Sequence, residues 1–407
     1  MSASLTIILL CHDTPFPANG GGKVDMWNRI QSFHKSNVRM HLLTWNDTPL
    51  DARQTEAFES YFESFKQLKR SKRIVNALHP IRPYFVQSRQ VTSSEYEELL
   101  RGYRAAKADL IFLDGIHGAY LAFRLQKDLG LPLVYRSHNV EYEYMNQLYK
   151  AEKSKAQRYL FWSSIGKVYR LEKRLRQSAD LVYDISALDA AAWSSKLKDR
   201  ESRIMPTYFL ADQPEFKPSA KQDIDVLYVG NLNTPNNVYG LEWFIQKVSP
   251  NLEAYRIVLA GSNPKPELQE LCALHGIEIV ANPPEIAPLY ERAKVLINPI
   301  WHGSGVNIKM IEMLLTGKKV VSTSIGTNGL GPNLISFVSV ADGEQDFARR
   351  VVEGMDTAFS AMQVEAVLFE HSWRNAQRAV AEMQGIAAEE ARSGSYYVEA
   401  KRLEQDA

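Results

Sequence analysis

The sequence predicts an α/β protein made of two doubly wound parallel sheets. Three observations carry that prediction. Short apolar, β-branched runs alternate with helical stretches throughout the chain, the signature of repeated βαβ units. The alternation breaks once, where Pro206, Pro214 and Pro218 interrupt regular structure, and then restarts. A length of 407 residues exceeds one ordinary core and fits two domains of about 200 residues. The expected organisation is an N-terminal domain over 1–208, a C-terminal domain over 209–370 and a final helical region over 371–407.

Composition narrows the function classes. Hydrophobic residues are 45% and charged residues 23%, as in ordinary globular chains. The formal net charge of +1 gives no global reason to expect nucleic acid as a partner. Only Cys11 and Cys272 are present, far apart, so neither a disulfide framework nor a zinc spacing arises and a reducing cytoplasm is expected. The opening run Leu5–Leu10 is too short to span a bilayer and lacks a basic leader; it reads as a first buried strand.

That strand leads through Cys11-His12-Asp13 to Gly20-Gly21-Gly22-Lys23, then a helix over 24–33 and a strand over 40–45. Three glycines before a helix let backbone N–H groups approach an anion. Cys11-His12-Asp13 is not a nucleophile relay, because neighbours on an extended strand face opposite ways. The stretch 60–104 is rich in Lys, Arg and aromatics, including Lys66, Lys69 and Arg70; it reads as a solvated helix and loop, with an anionic lipid surface as the alternative. Strands over 108–114 and 131–136 deliver His117 and His138 to their carboxyl ends, where parallel sheets collect ligands. The basic region 141–177 reads as one long helical stretch with interleaved Tyr159, Phe161 and Trp162, able to lie on a membrane or to pack its aromatics inward. A strand over 179–186 ends this half, with Ser186 as the next helix cap.

The second half restarts with a strand over 225–229 ending in Gly230, followed by Asn231 and Asn237 and a helix over 240–248. Strands over 255–261 and 277–280 end near Gly261 and Asn282, and one over 295–299 feeds the loop Gly303-Ser304-Gly305. From Val306 a helix runs towards Gly317, where a helix normally stops, before the buried strand beginning Val320-Val321. Asn307 and Lys309 lie in its first turn or so, and Glu312 further along. Free N–H groups and a cation at the helix start, with a carboxylate beyond, suit a nucleoside diphosphate and its ribose. Asp223-Ile224-Asp225 carries the letters of a metal site but precedes its strand, the wrong end for a ligand in a parallel sheet. No metal is expected.

The segment from Gly303 to Leu330 resembles the donor-binding segment of retaining glycosyltransferases of the GT-B fold, family 4. Its motif there is Glu, seven residues, Glu, then a glycine turn into Val-Val. Glu312 matches the second Glu, Leu315–Val321 the turn and Ser324–Leu330 the next loop, while Ser304 stands at the first Glu. The resemblance implies two Rossmann-like domains facing a central cleft, with the C-terminal helix crossing back to the first domain. It implies donor contacts at Gly20, Gly21, Gly22, Lys23, Gly230, Asn231, Asn237, Gly261, Asn282, Gly303, Ser304, Gly305, Val306, Asn307, Lys309 and Glu312. His138, Lys309 and Glu312 are the expected catalytic residues, and His117 lies on the acceptor side. Asn231 and Asn237 occupy places where the family carries an Arg and a Lys, which shifts the task of neutralising the diphosphate to Lys309, with Lys23 as a second cation.

The activity so implied is transfer of a sugar, with retention, from a nucleotide diphosphate sugar to a lipid-linked or polysaccharide acceptor of cell-surface carbohydrate synthesis. It needs no cofactor and no metal, and it would take place in the cytoplasm, with peripheral contact to the inner face of an anionic membrane. Two alternatives stand beside it: a soluble acceptor on the same fold, and a catalytically silent nucleotide-sugar-binding partner subunit.

Overall fold

The computed structural model describes residues 4–18, 21–71, 79–152, 154–197, 201–211, 222–303 and 305–405, with side chains to residue 390 except that of Ala151. The chain forms two compact units, Met1–Leu210 with Trp373–Ala407, and Ala211–Ser372. The expected α/β class holds in both, each unit being built on one parallel sheet.

In the first unit the strands are β1 (Thr6–Cys11), β2 (Arg39–Trp45), β3 (Ser64–Leu68), β4 (Leu110–Asp114), β5 (Leu133–Arg136), β6 (Leu181–Asp184) and β7 (Arg203–Ile204). Their order is β3-β2-β1-β4-β5-β6-β7, so the winding reverses between β1 and β4. β1 is buried throughout, as expected where helices cover both faces. Its side chains alternate between two cores: Ile8 and Leu10 join one, and Ile7, Leu9 and Cys11 join the other. Ala376, Ala379, Val380 and Met383 of the final helix, Ala376–Gln405, enter that second core. Glu382 there accepts a hydrogen bond from the Tyr183 hydroxyl at 2.7 Å.

The second unit contains β8 (Ile224–Val229), β9 (Ile257–Gly261), β10 (Glu278–Ala281), β11 (Ala293–Asn298), β12 (Lys319–Ser322) and β13 (Val338–Val340). The order is β10-β9-β8-β11-β12-β13, reversing between β8 and β11. One face carries a core of Val226, Tyr228, Val295, Ile297 and Val321 beneath Leu241, Phe244 and Phe347. The carboxyl ends at each reversal are the places where such sheets take ligands.

Several sequence expectations shift. β3 lies within the stretch read as helix and loop: its edge position shows Lys66 to solvent, where it pairs with Glu98 at 2.7 Å. The 141–177 region is two helices, Glu141–Ala151 and Lys155–Ser178, separated at an extended Glu152. The first long helix starts at Gly21, so Gly21, Gly22 and Lys23 form its first turn instead of a preceding loop. Glycine costs least at a helix end, where backbone order is already weak. At the other site, the helix starts at Ile308 with Asn307 as its extended N-cap, leaving Val306 in the loop.

Candidate functional site

The first unit gathers three imidazoles above the β1/β4 reversal. His12 follows β1, His117 sits in the turn Ile116–Gly118 after β4, and His138 follows β5. His12 and His117 stack with centroids 4.7 Å apart, and His138 meets His12 edge-on at 5.5 Å. Gly115 makes the turn possible: at φ +83° it takes a conformation side chains rarely adopt, with all three rings around it. Burial holds His12 down at about 3 and His117 well below its ordinary range, so both rings are neutral at physiological pH.

His138 differs because it has a carboxylate partner. Its Nε2 lies 2.5 Å from Asp114 Oδ1. Asp114 is buried, but Arg29 donates to Oδ2 at 2.5 Å, and the ion pairs hold the acid well below its usual range. An ionised carboxylate only accepts, so Nε2 carries the hydrogen and Nδ1 is left for a ligand. The chain continues inward. Arg29 donates to Asp25 at 2.9 Å, Arg136 pairs with Asp25 at 2.8 Å, and the Thr207 hydroxyl donates to it at 2.8 Å. Two buried acids and two buried arginines neutralise one another and fix the ring. Cys11 points into this network, its Sγ 3.8 Å from Asp114, and burial pushes the thiol up, so it is not a nucleophile.

The second unit builds its site at the β8/β11 reversal. β11 delivers the chain to Gly303 (φ +153°) and Gly305 (φ +78°), and the helix Ile308–Leu315 follows. The Asn307 side chain makes no capping hydrogen bond, which leaves the first N–H groups of the helix for a ligand. At the far end Gly317 (φ +67°) stops the helix, and the buried Gln363 amide donates to Leu314 and Lys318 carbonyls. The loop is held against its neighbour: a Cβ on Gly329 would meet Val306 at 2.6 Å. Asn298 donates to the Gly326 carbonyl at 3.1 Å.

Lys309 extends from the first turn of this helix across β8. Its Nζ donates to the Tyr228 hydroxyl at 2.9 Å and to Asn237 Oδ1 at 3.0 Å, and lies 4.6 Å from the Tyr228 ring centre. Burial lowers Lys309 to about 7, and burial raises Glu312, one turn along, to about 7. Glu312 acts on Lys309 from beyond ion-pairing distance, and among the described residues no carboxylate pairs with it. A desolvated amine held by two neutral oxygens beside uncapped N–H groups has the chemistry to receive an added anion.

The sequence-predicted residues divide accordingly. The structure brings together Lys309, Asn237, Gly303, Gly305, Val306, Asn307 and Glu312 around one helix start. Gly230 and Gly261 meet at the adjoining strand ends, where a Cβ on Gly261 would lie 1.6 Å from the Gly230 carbonyl oxygen. Asn282 takes a left-handed turn (φ 49°) and accepts from the Asn263 N–H at 2.9 Å, fixing the loop after β9. Asn231 is spent locally: its Oδ1 accepts from the N–H groups of Asn233 and Thr234. Lys23 pairs with Asp13 at 3.6 Å within the first unit. Gly21 and Gly22 open their helix, and Gly20 and Ser304 lie outside the described residues. Asp223 and Asp225 are bound by Arg256, Arg292 and Lys294 at the amino ends of the strands. Sequence reasoning missed Asp114 and Tyr228. Asp114 had a signal, an acid closing an apolar strand; Tyr228 had none, since an aromatic inside a strand reads as core.

Residues 223–356 match the family model described as Glycosyl transferases group 1. A Klebsiella pneumoniae protein described as an uncharacterized 44.6 kDa protein in cps region is 25% identical over 365 residues, covering 85% of this chain and 90% of its own. Anabaena Alr3699/HepE in complex with UDP and glucose superposes with TM-score 0.63 at 13% identity, over 94% of this chain and 99% of its own. A mutant of S. aureus TarM in complex with Fondaparinux, alpha-GlcNAc-glycerol and UDP gives TM-score 0.64 at 8% identity, over 93% and 99%. Sucrose-phosphate synthase from Thermosynechococcus elongatus gives 0.60 at 12%, over 97% and 100%. The chain thus resembles the group 1 glycosyltransferases in sequence over residues 223–356, and these solved structures in fold over nearly its whole length.

Proposed function

We propose that this chain is a retaining glycosyltransferase that moves a sugar from a nucleoside diphosphate sugar to a glycan or lipid-linked acceptor of cell-surface polysaccharide synthesis. The observation that carries it is Lys309, poised between Tyr228 and Asn237 at the uncapped start of the helix bearing Glu312. The helix N–H groups and the ammonium receive the diphosphate, and Glu312 receives the ribose hydroxyls. As the sugar leaves, negative charge grows on the diphosphate, and these fixed donors stabilise it without reorganising. His138, oriented by Asp114, is the catalytic group of the first unit. The departing phosphate assists the acceptor on the same face, and protein cations do the work a metal would otherwise do. The UDP of the similar structures and the cps region of the Klebsiella protein support the donor class and the polysaccharide setting.

Donor turnover without acceptor tests this. Incubated with a panel of nucleotide sugars, the protein should release sugar slowly from one of them, and Lys309→Ala should abolish that release. A second reading, a nucleotide-sugar-binding subunit without turnover, is favoured by Asn231, which supplies a turn and no cation. Tight nucleotide binding with no sugar release from any donor would establish it instead.

We also assign a peripheral membrane face to the start of the Lys155–Ser178 helix, with the catalytic work on the cytoplasmic side. Tyr159 and Trp162 are 61% and 58% exposed, close to Lys155 and Arg158. Aromatic rings beside cations suit an anionic bilayer surface. No helix among the described residues is long and apolar enough to cross a membrane. The protein should float with vesicles containing phosphatidylglycerol, and Tyr159→Ser/Trp162→Ser should remain in the soluble fraction; equal flotation of the two would refute the assignment.

A further inference from the structure

The first unit contains a second cationic feature that the donor chemistry does not use. Beside His117 lies a cavity of about 160 Å³. Arg82, Arg89 and Arg124 line it, together with His117, Gln90 and Tyr120. The sequence places these side chains from two directions. Arg82 and Arg89 flank the short helix Tyr84–Gln87, while His117 and Tyr120 follow β4 and Arg124 lies one turn further along the Ala119–Leu129 helix.

The arginines are held but not neutralised. Arg89 is 9% exposed, and its guanidinium donates to the backbone carbonyls of His12 at 3.0 Å and Phe85 at 2.7 Å. Arg82 lies 4.2 Å over the Tyr120 ring and donates to Gln87 and Gln90. Among the described residues neither has a carboxylate within ion-pairing distance. Arg124 lies 3.3 Å over the Tyr96 ring, with Asp128 at 3.9 Å. That acid also accepts from the Tyr96 hydroxyl. Burial lowers Arg89 only to about 10, so it stays cationic at neutral pH. His117 Nδ1 is buried without a partner on a neutral ring. Buried charges normally have counter-charges, because an unpaired cation loses hydration and gains nothing. Among the described residues Asp13 and Asp47 act on Arg89 from beyond ion-pairing distance and Asp128 alone pairs with Arg124, so the lining of the cavity carries more positive than negative charge. Its volume accommodates one phosphate or carboxylate with a few waters of about 30 Å³ each.

We propose that this pocket binds an anionic group of the acceptor, a phosphate or a sugar carboxylate, so that the enzyme selects acceptors carrying a negative charge. The class of acceptor rests on the glycosyltransferase reading; the anion site stands on the first unit alone. Arg82 and Arg124 supply bidentate donors, Arg89 supplies the buried charge, and the neutral His117 ring lines the wall.

Calorimetric titration tests the site in full-length protein carrying Lys309→Ala, which removes the donor cation from the measurement. Inorganic phosphate and glucuronate are the probes. At least one should bind, and adding Arg82→Gln/Arg124→Gln should weaken it at least tenfold, with Arg82→Lys/Arg124→Lys recovering most of the affinity. These exposed or half-exposed positions spare the fold, and the circular dichroism spectrum should not change. Binding of phosphate alone identifies a phosphate-bearing acceptor; binding of glucuronate alone identifies a uronate. Absence of binding by both probes, or binding indifferent to Arg82→Gln/Arg124→Gln, overturns the proposal. UDP titrated into protein with Lys309 intact serves as the independent arm: its failure would count against the donor reading and leave the anion pocket standing.

Discussion

Lys309→Ala is expected to weaken nucleoside diphosphate binding by about 100-fold, the loss of roughly 3 kcal/mol for a charge-assisted contact to phosphate. Asn231→Ala should change it less than threefold, because that side chain caps a turn. The comparison separates a ligand cation from a loop residue. The apo protein should melt within a few degrees of the parent in Lys309→Met, since the lysine is desolvated and its ammonium, over the Tyr228 ring, loses hydration there. Titration of UDP by calorimetry or melting shift measures both effects.

The same residue sets a pH dependence. Burial lowers the free Lys309 to about 7, and a bound diphosphate favours its charged form, so the bound value is higher. The Lys309 contribution to binding is therefore complete below about pH 7 and weakens as pH rises towards the bound value, by up to about tenfold per unit. Glu312 titrates near 7 as well, and its loss of charge on the acid side lessens its hold on the ribose. In Lys309→Ala the alkaline decline should vanish. A parent protein whose affinity is flat from pH 6 to 9 would show that the ammonium does not meet the phosphates.

Asp25→Ala is expected to cost about 3–5 kcal/mol of stability, because it leaves Arg136 buried without its carboxylate and Arg29 with Asp114 alone. For a unit of this size that is about 10 °C in melting temperature. Catalysis should fall as well, since Arg29 positions Asp114 and Asp114 orients His138. The acid side gives a second signature. Asp25 is lowered to about 2 from an ordinary 3.8, chiefly by Arg136 and Arg29 working against burial. Its contribution is complete above about pH 4 and is lost as pH falls towards 2. Denaturant midpoints of parent and variant should converge across that window. A constant gap between them would mean that Asp25 stabilises by packing and not by charge.

The route from residues to site was uneven for identifiable reasons. The Gly303–Glu312 segment was legible because its constraints are local, glycines for positive φ and a helix stop at Gly317, although Val306 and Asn307 precede the helix instead of opening it. β1, β4 and β8 were legible because burial on both faces leaves continuous apolar runs. β3 was not, since an edge strand exposes Lys66 and reads as a charged surface. The break between Glu141–Ala151 and Lys155–Ser178 was also missed, because the charges and aromatics keep the same composition across it.

Chain order and local chemistry were therefore enough to establish the class of fold, the two repeats of alternating strand and helix, and the glycine loop that leads into the Ile308–Leu315 helix. Which side chains cooperate was decided by folding alone. His138 and Asp114 are 24 positions apart, Arg29 and Asp114 are 85, and Lys309 and Tyr228 are 81. Such pairs meet because parallel strands, joined by crossover helices, set distant parts of the chain side by side. The reason is physical: a backbone preference acts over a few residues, whereas a buried charge finds its partner wherever the sheet order puts one.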